Sequence, residues 1–239
     1  MTLQDKRIII LGGTSGIGFA VAEAAVREGA AVVLASSRQK SVDDALARLP
    51  KGAAGHAVDL SDENNIREFF ARAGGFDHLV FTAGETLRLG ELDALSLDDA
   101  RNAFGLRFWG ALAAVKYAHA SIRPGGSIVL TTGVAKDRPR KGWTVAASIC
   151  GAMDALTRAL AVELAPIRVN TVSPGVVRSP LWSNMSEADR EAFYRGAGEA
   201  LPVGRVGEPG DIAEAYLYLM RGGYSTGQVV TVDGGAVLV

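Results

Sequence analysis

A chain of 239 residues, 48% of them hydrophobic, holds enough material for one large α/β domain with a sizeable core, and 1–239 reads as a single domain. A formal net charge of −1 gives no reason to expect nucleic acid or an anionic membrane as partner, and the one cysteine, Cys150, excludes an internal disulfide framework and suits a reducing compartment. No signal-like segment opens the sequence and no uninterrupted apolar run nears the roughly 18–20 residues that span a bilayer, so a cytoplasmic protein is expected.

In chain order, RIIIL (7–11) reads as a buried strand and 16–28 as a helix ended by Gly29. AAVVLAS (30–36) is the next strand, followed by a helix over 40–49 that Pro50 stops. GHAVDL (55–60) is a short strand, and Ser61 with Asn64 opens a helix to about Ala73. FDHLVFTAG (76–84) is a strand running into a glycine turn, and one long helix is expected over about 96–120. SIVLTT (127–132), a polar loop, a helix over about 143–164 and the strand IRVNTV (167–172) follow. Two helices, about 186–200 and 209–221, precede the last strand, QVVTVD (228–233). Apolar strands alternating with helices imply a Rossmann-like α/β fold, a doubly wound parallel sheet of about seven strands with helices on both faces.

The first strand runs into GGTSGIG (12–18), where Gly12, Gly16 and Gly18 alternate with Thr14, Ser15 and Ile17 and open a helix. Glycines at a strand-to-helix turn let a phosphate reach the amides of the helix N-terminus, so the stretch reads as a dinucleotide site; the plainer reading is a tight packing turn. The second strand ends in Ser36, Ser37 and Arg38, with no carboxylate before Asp43. Two hydroxyls and a guanidinium suit a 2′-phosphate, which favours NADP(H) over NAD(H), unless Arg38 is only a solvated helix start.

The order of these pieces resembles the short-chain dehydrogenase/reductase family across nearly the whole chain. GGTSGIG is similar to its cofactor turn, and Thr82-Ala83-Gly84 to its Asn-Ala-Gly motif with threonine in place of asparagine. Asp59-Leu60 matches the pair that the family sets around the adenine. In SPGVVRSP (173–180), Pro174, Gly175, Val177 and Ser179 match the segment near the nicotinamide and pyrophosphate, and STGQVVTVDGG (225–235) resembles the family's last strand. The resemblance implies an oxidoreductase that moves a hydride to or from a small organic substrate. It also implies a Ser-Tyr-Lys set with a supporting asparagine, and here the sequence departs. Alignment of the helix places Ala146 at the tyrosine and Cys150 at the lysine; Gly133 falls at the serine and Arg107, in RFWG, at the asparagine. No tyrosine occurs between Tyr117 and Tyr194, so no shift of register restores the set.

Three features offer replacements. Thr132, at the end of the fifth strand, has a hydroxyl for a substrate oxygen, or is an ordinary strand residue. Arg107 is a poor proton donor but can hold an oxyanion or a carboxylate, or is a surface arginine. The loop 134–143 carries Lys136, Arg138, Arg140 and Lys141 against Asp137; it favours an anionic substrate and offers Lys136 or Lys141 as a proton source, or is a solvated charged loop. Cys150 reads as a small hydrophobe on a packed helix, and His56, His78 and His119 have no metal-binding spacing. Residues 181–205, with Trp182, Met185, Phe193 and Tyr194, stand where the family has its substrate lid. The sequence therefore points to an atypical NADP(H)-dependent oxidoreductase. An inactive NADP(H)-binding regulator and a non-redox lyase or isomerase stand as alternatives. Helices 96–120 and 143–164 correspond to those through which similar proteins pair, so a homodimer or homotetramer is expected.

Overall fold

The computed structural model describes residues 2–50, 52–86 and 89–239. Its sheet has seven parallel strands: β1 (Arg7–Leu11), β2 (Ala31–Ser36), β3 (Ala54–Ala57), β4 (Phe76–Phe81), β5 (Ile122–Thr131), β6 (Arg168–Pro174) and β7 (Val229–Val232). They lie in the order β3-β2-β1-β4-β5-β6-β7. The chain winds outward from β1 to β3, then returns to β4 on the other side of β1. That reversal leaves a crevice beyond the carboxyl ends of β1 and β4, the place where open α/β sheets receive ligands.

The period of two in RIIIL sorts its side chains between two cores. Ile8 and Ile10 pack with α1 (Gly16–Arg27), α2 (Gln39–Leu46) and α8 (Pro209–Arg221) on one face. Ile9 and Leu11 pack with α3 (Glu63–Ala73), α5 (Ala111–Ala118) and α6 (Thr144–Glu163) on the other. All four are fully buried, and each contributes about 1.5–3 kcal/mol by leaving water. Burial on both faces is why these strands read as continuous apolar runs rather than alternating ones.

Three expectations are corrected. The helix expected over 96–120 is three segments: α4 (Leu97–Phe104), a π-helical turn (Gly105–Gly110) and α5. Asp62 rather than Ser61 caps α3, its side chain accepting from the Asn64 amide at 2.8 Å. β3 ends at Ala57, three residues earlier than expected. Helix α6 is long and apolar enough, by length and composition alone, to cross a membrane. In this fold its Ala146, Ile149, Met153 and Leu160 are buried, in contact with β5 and β6.

Candidate active site

The turn after β1 is shaped by how closely it approaches the end of β4. Gly12 has φ +88°, and a Cβ on it would stand 2.5 Å from the Ala83 amide nitrogen. A Cβ on Gly18 would stand 2.3 Å from Thr82 Oγ1 and 2.4 Å from the Gly12 carbonyl oxygen. These two glycines are thus required by backbone packing, and access for a phosphate is a consequence of that packing. Thr82 fastens the turn by donating its hydroxyl to the Leu11 carbonyl at 3.1 Å. Ser15 precedes α1 without making a side-chain cap, which leaves the first-turn amides to an anion.

Thr14 Oγ1 lies 3.1 Å from Ser36 Oγ and ties this turn to the end of β2. Arg38 stands exposed at the same edge and forms no ion pair among the described residues. Asp59 accepts from both the amide and the hydroxyl of Ser61, and these bonds hold its carboxyl below the usual range.

All these groups open onto one cleft of about 620 Å³ at the carboxyl edge of the sheet. Gly12, Thr14, Ser15, Gly16, Ile17 and Gly18 line it, with Ser36, Ser37, Arg38, Asp59 and Leu60. Thr82, Ala83, Gly84, Pro174, Gly175, Val177 and Ser179 complete that part of the wall. Every residue expected to hold a cofactor is therefore in one place. The glycine cradle, the uncapped helix start and the unpaired Arg38 fit a dinucleotide with a 2′-phosphate, as expected for NADP(H).

The other part of the cleft holds the four positions that the sequence alignment sets against the family's catalytic residues: Arg107, Gly133, Ala146 and Cys150. Arg107 arrives there on the π-helical turn, whose extra residue per turn resets the helix face. Gly110 closes that turn against the segment that follows β3, where a Cβ would meet the Leu60 carbonyl oxygen at 2.6 Å. The guanidinium lies on Gly84, where a Cβ would stand 2.7 Å from Nη1, and Nη2 donates to the Glu85 carbonyl. Burial lowers its pKa from the usual arginine range, with Cys150 and Glu85 opposing at longer range, and an arginine so placed keeps its charge. No carboxylate among the described residues forms an ion pair with it.

Thr132 lines the same wall, but its hydroxyl donates to the Cys150 carbonyl at 2.9 Å, so toward a ligand it is placed to accept. Thr131, not singled out from the sequence, donates to the Phe81 carbonyl at 2.6 Å and accepts from the buried Tyr216 hydroxyl at 2.6 Å. The expectation for Lys141 is corrected: it is exposed, paired with Glu91 at 2.8 Å, and does not line the cleft. Nor does the basic loop present four free cations. Lys136 turns inward to Asp137 and to Asp154 (3.1 Å), and Arg140 lies over the Trp143 ring. Cys150, read from sequence as packing only, borders the cleft.

The segment expected as a lid has an aromatic core of its own. Trp182, Tyr194 and Val206 are buried together, the Trp182 and Phe193 rings lie 4.7 Å apart in a tilted contact, and Trp182 Nε1 donates to the Val177 carbonyl at 3.2 Å. Only Leu181, Trp182 and Ser183 of residues 181–205 line the cleft among the described residues, and Trp143, Ile149 and Met153 also belong to its wall. The helix α7 (Glu187–Glu199) starts at Ser186, as expected, with Ser186 Oγ accepting from the Asp189 amide at 3.2 Å. No group of His, Cys, Asp and Glu suited to a metal occurs among the described residues.

A glycine-turned, doubly wound sheet with this cleft at its switch point defines a dinucleotide-binding α/β protein. A family model described as enoyl-(acyl carrier protein) reductase matches residues 12–237. The short-chain dehydrogenase/reductase ucsE of Acremonium sp is 38% identical, covering 99% of this chain and 97% of that protein. The chain belongs to the short-chain dehydrogenase/reductase family. A solved small-chain dehydrogenase in complex with NADPH matches with TM-score 0.84 and 36% identity, over 99% of this chain and 100% of that one. The reductase/Diels-Alderase MalC of Malbranchea aurantiaca matches with TM-score 0.91 and 31% identity, over 99% and 98%.

Proposed function

We propose that this protein is an NADP(H)-dependent oxidoreductase that works without the tyrosine acid of its relatives, and that it reduces a conjugated carbon–carbon double bond whose developing oxyanion is held by Arg107. The observation that carries this reading is the Arg107 guanidinium on the wall of the cofactor cleft, anchored to the Glu85 carbonyl and without an ion pair among the described residues. When bound, NADPH supplies a hydride. The turn at 12–18 and residues 36–38 hold its phosphates and set its orientation. Arg107 holds the substrate's oxygen through donors pre-aimed by Gly84 and the Glu85 carbonyl, and it gains strength from partial burial. Trp143, Leu181, Trp182, Ile149 and Met153 supply an apolar wall for the body of a small, anionic substrate. Ala146 and Cys150 are smaller than the tyrosine and lysine that the family alignment expects there, which widens this wall. The double-bond chemistry agrees with the description of the matching family model.

A second reading takes support from the reductase/Diels-Alderase likeness. An apolar cleft with one fixed cation can also orient a non-redox rearrangement beside a bound cofactor. The reading includes pairing of two or four chains through α4, the π-helical turn, α5 and α6, where Leu97, Trp109 and Val162 are exposed apolar residues. Light scattering of the purified protein measures that number.

The functional test is NADPH oxidation by the purified protein across ketones, imines and 2-enoates. Turnover of the enoates is expected. Tight NADPH binding with no oxidation against any of the three classes would overturn the oxidoreductase reading.

A further inference from the structure

We propose that Thr132 is a specificity-determining residue of this cleft: its oxygen accepts a hydrogen bond from the substrate, so the substrate is a conjugated acid that also carries an O–H or N–H donor. The proposal deepens the reading of the chain as an NADP(H)-dependent reductase and rests on it. What points to it is where the hydroxyl protons at the end of β5 go.

Thr131 and Thr132 both line the cleft. Successive residues of a strand face opposite ways, so Thr131 stands with Val129 toward α8 and Thr132 with Leu130 toward α6. The Thr132 amide continues the ladder to the Val172 carbonyl at 2.9 Å, which fixes its backbone. A hydroxyl has one proton and two lone pairs. Thr131 gives its proton to the Phe81 carbonyl at 2.6 Å, so the fully buried Tyr216 hydroxyl, also 2.6 Å away, must donate to it. That leaves Thr131 one lone pair. Thr132 gives its proton to the Cys150 carbonyl at 2.9 Å, and its oxygen is left as an acceptor. Both protons are committed to backbone carbonyls, and the end of β5 meets a ligand with oxygen lone pairs.

Gly133, Ala146, Ile149 and Met153, on the same wall, have no polar side-chain hydrogens. Arg107 has the opposite character, N–H donors and no acceptor. The two kinds of group sort the polar atoms of a substrate. Its conjugated carboxylate oxygen goes to Arg107 and its donor to Thr132. For Thr132 to donate instead, its bond to the Cys150 carbonyl would first have to break. A substrate without a donor strips water from the Thr132 oxygen and offers nothing in return, and a site built around a hydrogen bond rejects such an analogue.

The test uses the full chain and two matched pairs in which methylation removes the donor. One is a 4-hydroxy-2-enoate against its methyl ether, and the other a 4-acetamido-2-enoate against its N-methyl form. Calorimetric titration reads binding to the protein–NADP+ complex, and NADPH oxidation reads kcat/KM. Wild type is expected to favour the free donor by about 10–100-fold in at least one pair. In the near-isosteric Thr132→Val the preference should fall within about two-fold, and Thr132→Ser should restore it. A methyl group that merely clashed would be disfavoured in Thr132→Val as well. NADPH affinity checks folding, and Thr132→Ala is the second variant if valine disturbs the strand end. Equal behaviour within both pairs in wild type, absent binding included, would overturn the proposal, as would a preference that survives Thr132→Val. Enoate oxidation without donor preference leaves the reductase reading standing alone. Donor-selective binding without any oxidation removes that reading and keeps Thr132 as the group that reads the ligand.

Discussion

Arg107 and Gly84 act as one unit, because the guanidinium occupies the space a side chain on Gly84 would need. The clash at 2.7 Å is with the far end of a flexible side chain, so Gly84→Ala can fold by displacing it. We expect this variant to keep a melting temperature within about 2 °C of wild type, since the obstacle is the movable end of a side chain, yet to lose about 10–100-fold in enoate turnover. Calorimetry alongside kinetics checks both halves. Arg38 tests the other end of the cleft. Losing a charge-assisted contact worth about 1.5–3 kcal/mol, Arg38→Ala should bind NADPH about 10–100-fold more weakly and NADH unchanged, as read by fluorescence titration. The cofactor residues were legible in the sequence because strand–turn–helix context fixes their backbone. Cys150 was not, since a small residue on an apolar helix looks the same whether its thiol meets the core or the cleft.

At the scale of elements, the π-helical turn between α4 and α5 matters most for the site. Apolar periodicity reads 96–120 as one helix, since a single widened turn barely disturbs a 3.6-residue pattern. Yet that turn delivers Arg107 to the cleft, and it depends on Gly110 lying against the Leu60 carbonyl. In Gly110→Ala the obstacle at 2.6 Å is backbone rather than a movable side chain. We expect a loss of about 1–3 kcal/mol in urea unfolding and weakened enoate turnover together. The loop 134–143 shows the opposite difficulty. Its cations are plain in the sequence, but only packing shows that Lys136 turns inward to Asp154 and Lys141 outward to Glu91. The lid aromatics, ambiguous from sequence, proved to be mainly a local core around Trp182 and Tyr194.

Across the whole molecule, the sheet holds ionisable groups near the amino ends of its strands as well as at the cleft. Buried His78, 2.8 Å from Ser127, is pushed down from its ordinary 6.5 to about 4, mainly by burial. Below pH 6.5 the unfolded chain takes up a proton that the folded chain refuses until about pH 4. Stability is therefore full above 6.5 and falls through that window, by about 3 kcal/mol at most. Asp77 adds to the acid loss. Burial would raise its carboxyl, but the Arg7 amide, Lys6 and Arg123 outweigh it and hold it low, so its contribution fades as pH drops below the ordinary 3.8. Urea midpoints at pH 7, 5.5 and 4.5 should decline in order, and a flat series would contradict this.

The parallel sheet itself was readable because strands buried on both faces are continuously apolar, and the glycine turn fixed where the cofactor cleft opens. The reaction was less readable, because it depends on which residues stand against the cleft wall. The measurement that bears most directly on the account uses NADPH deuterated at nicotinamide C4, with product analysis by mass spectrometry from wild type and Arg107→Gln. We predict deuterium at the β-carbon of the reduced enoate, formed about 100–1,000-fold more slowly by Arg107→Gln. Deuterium in no product, or transfer at full rate by Arg107→Gln, would contradict it.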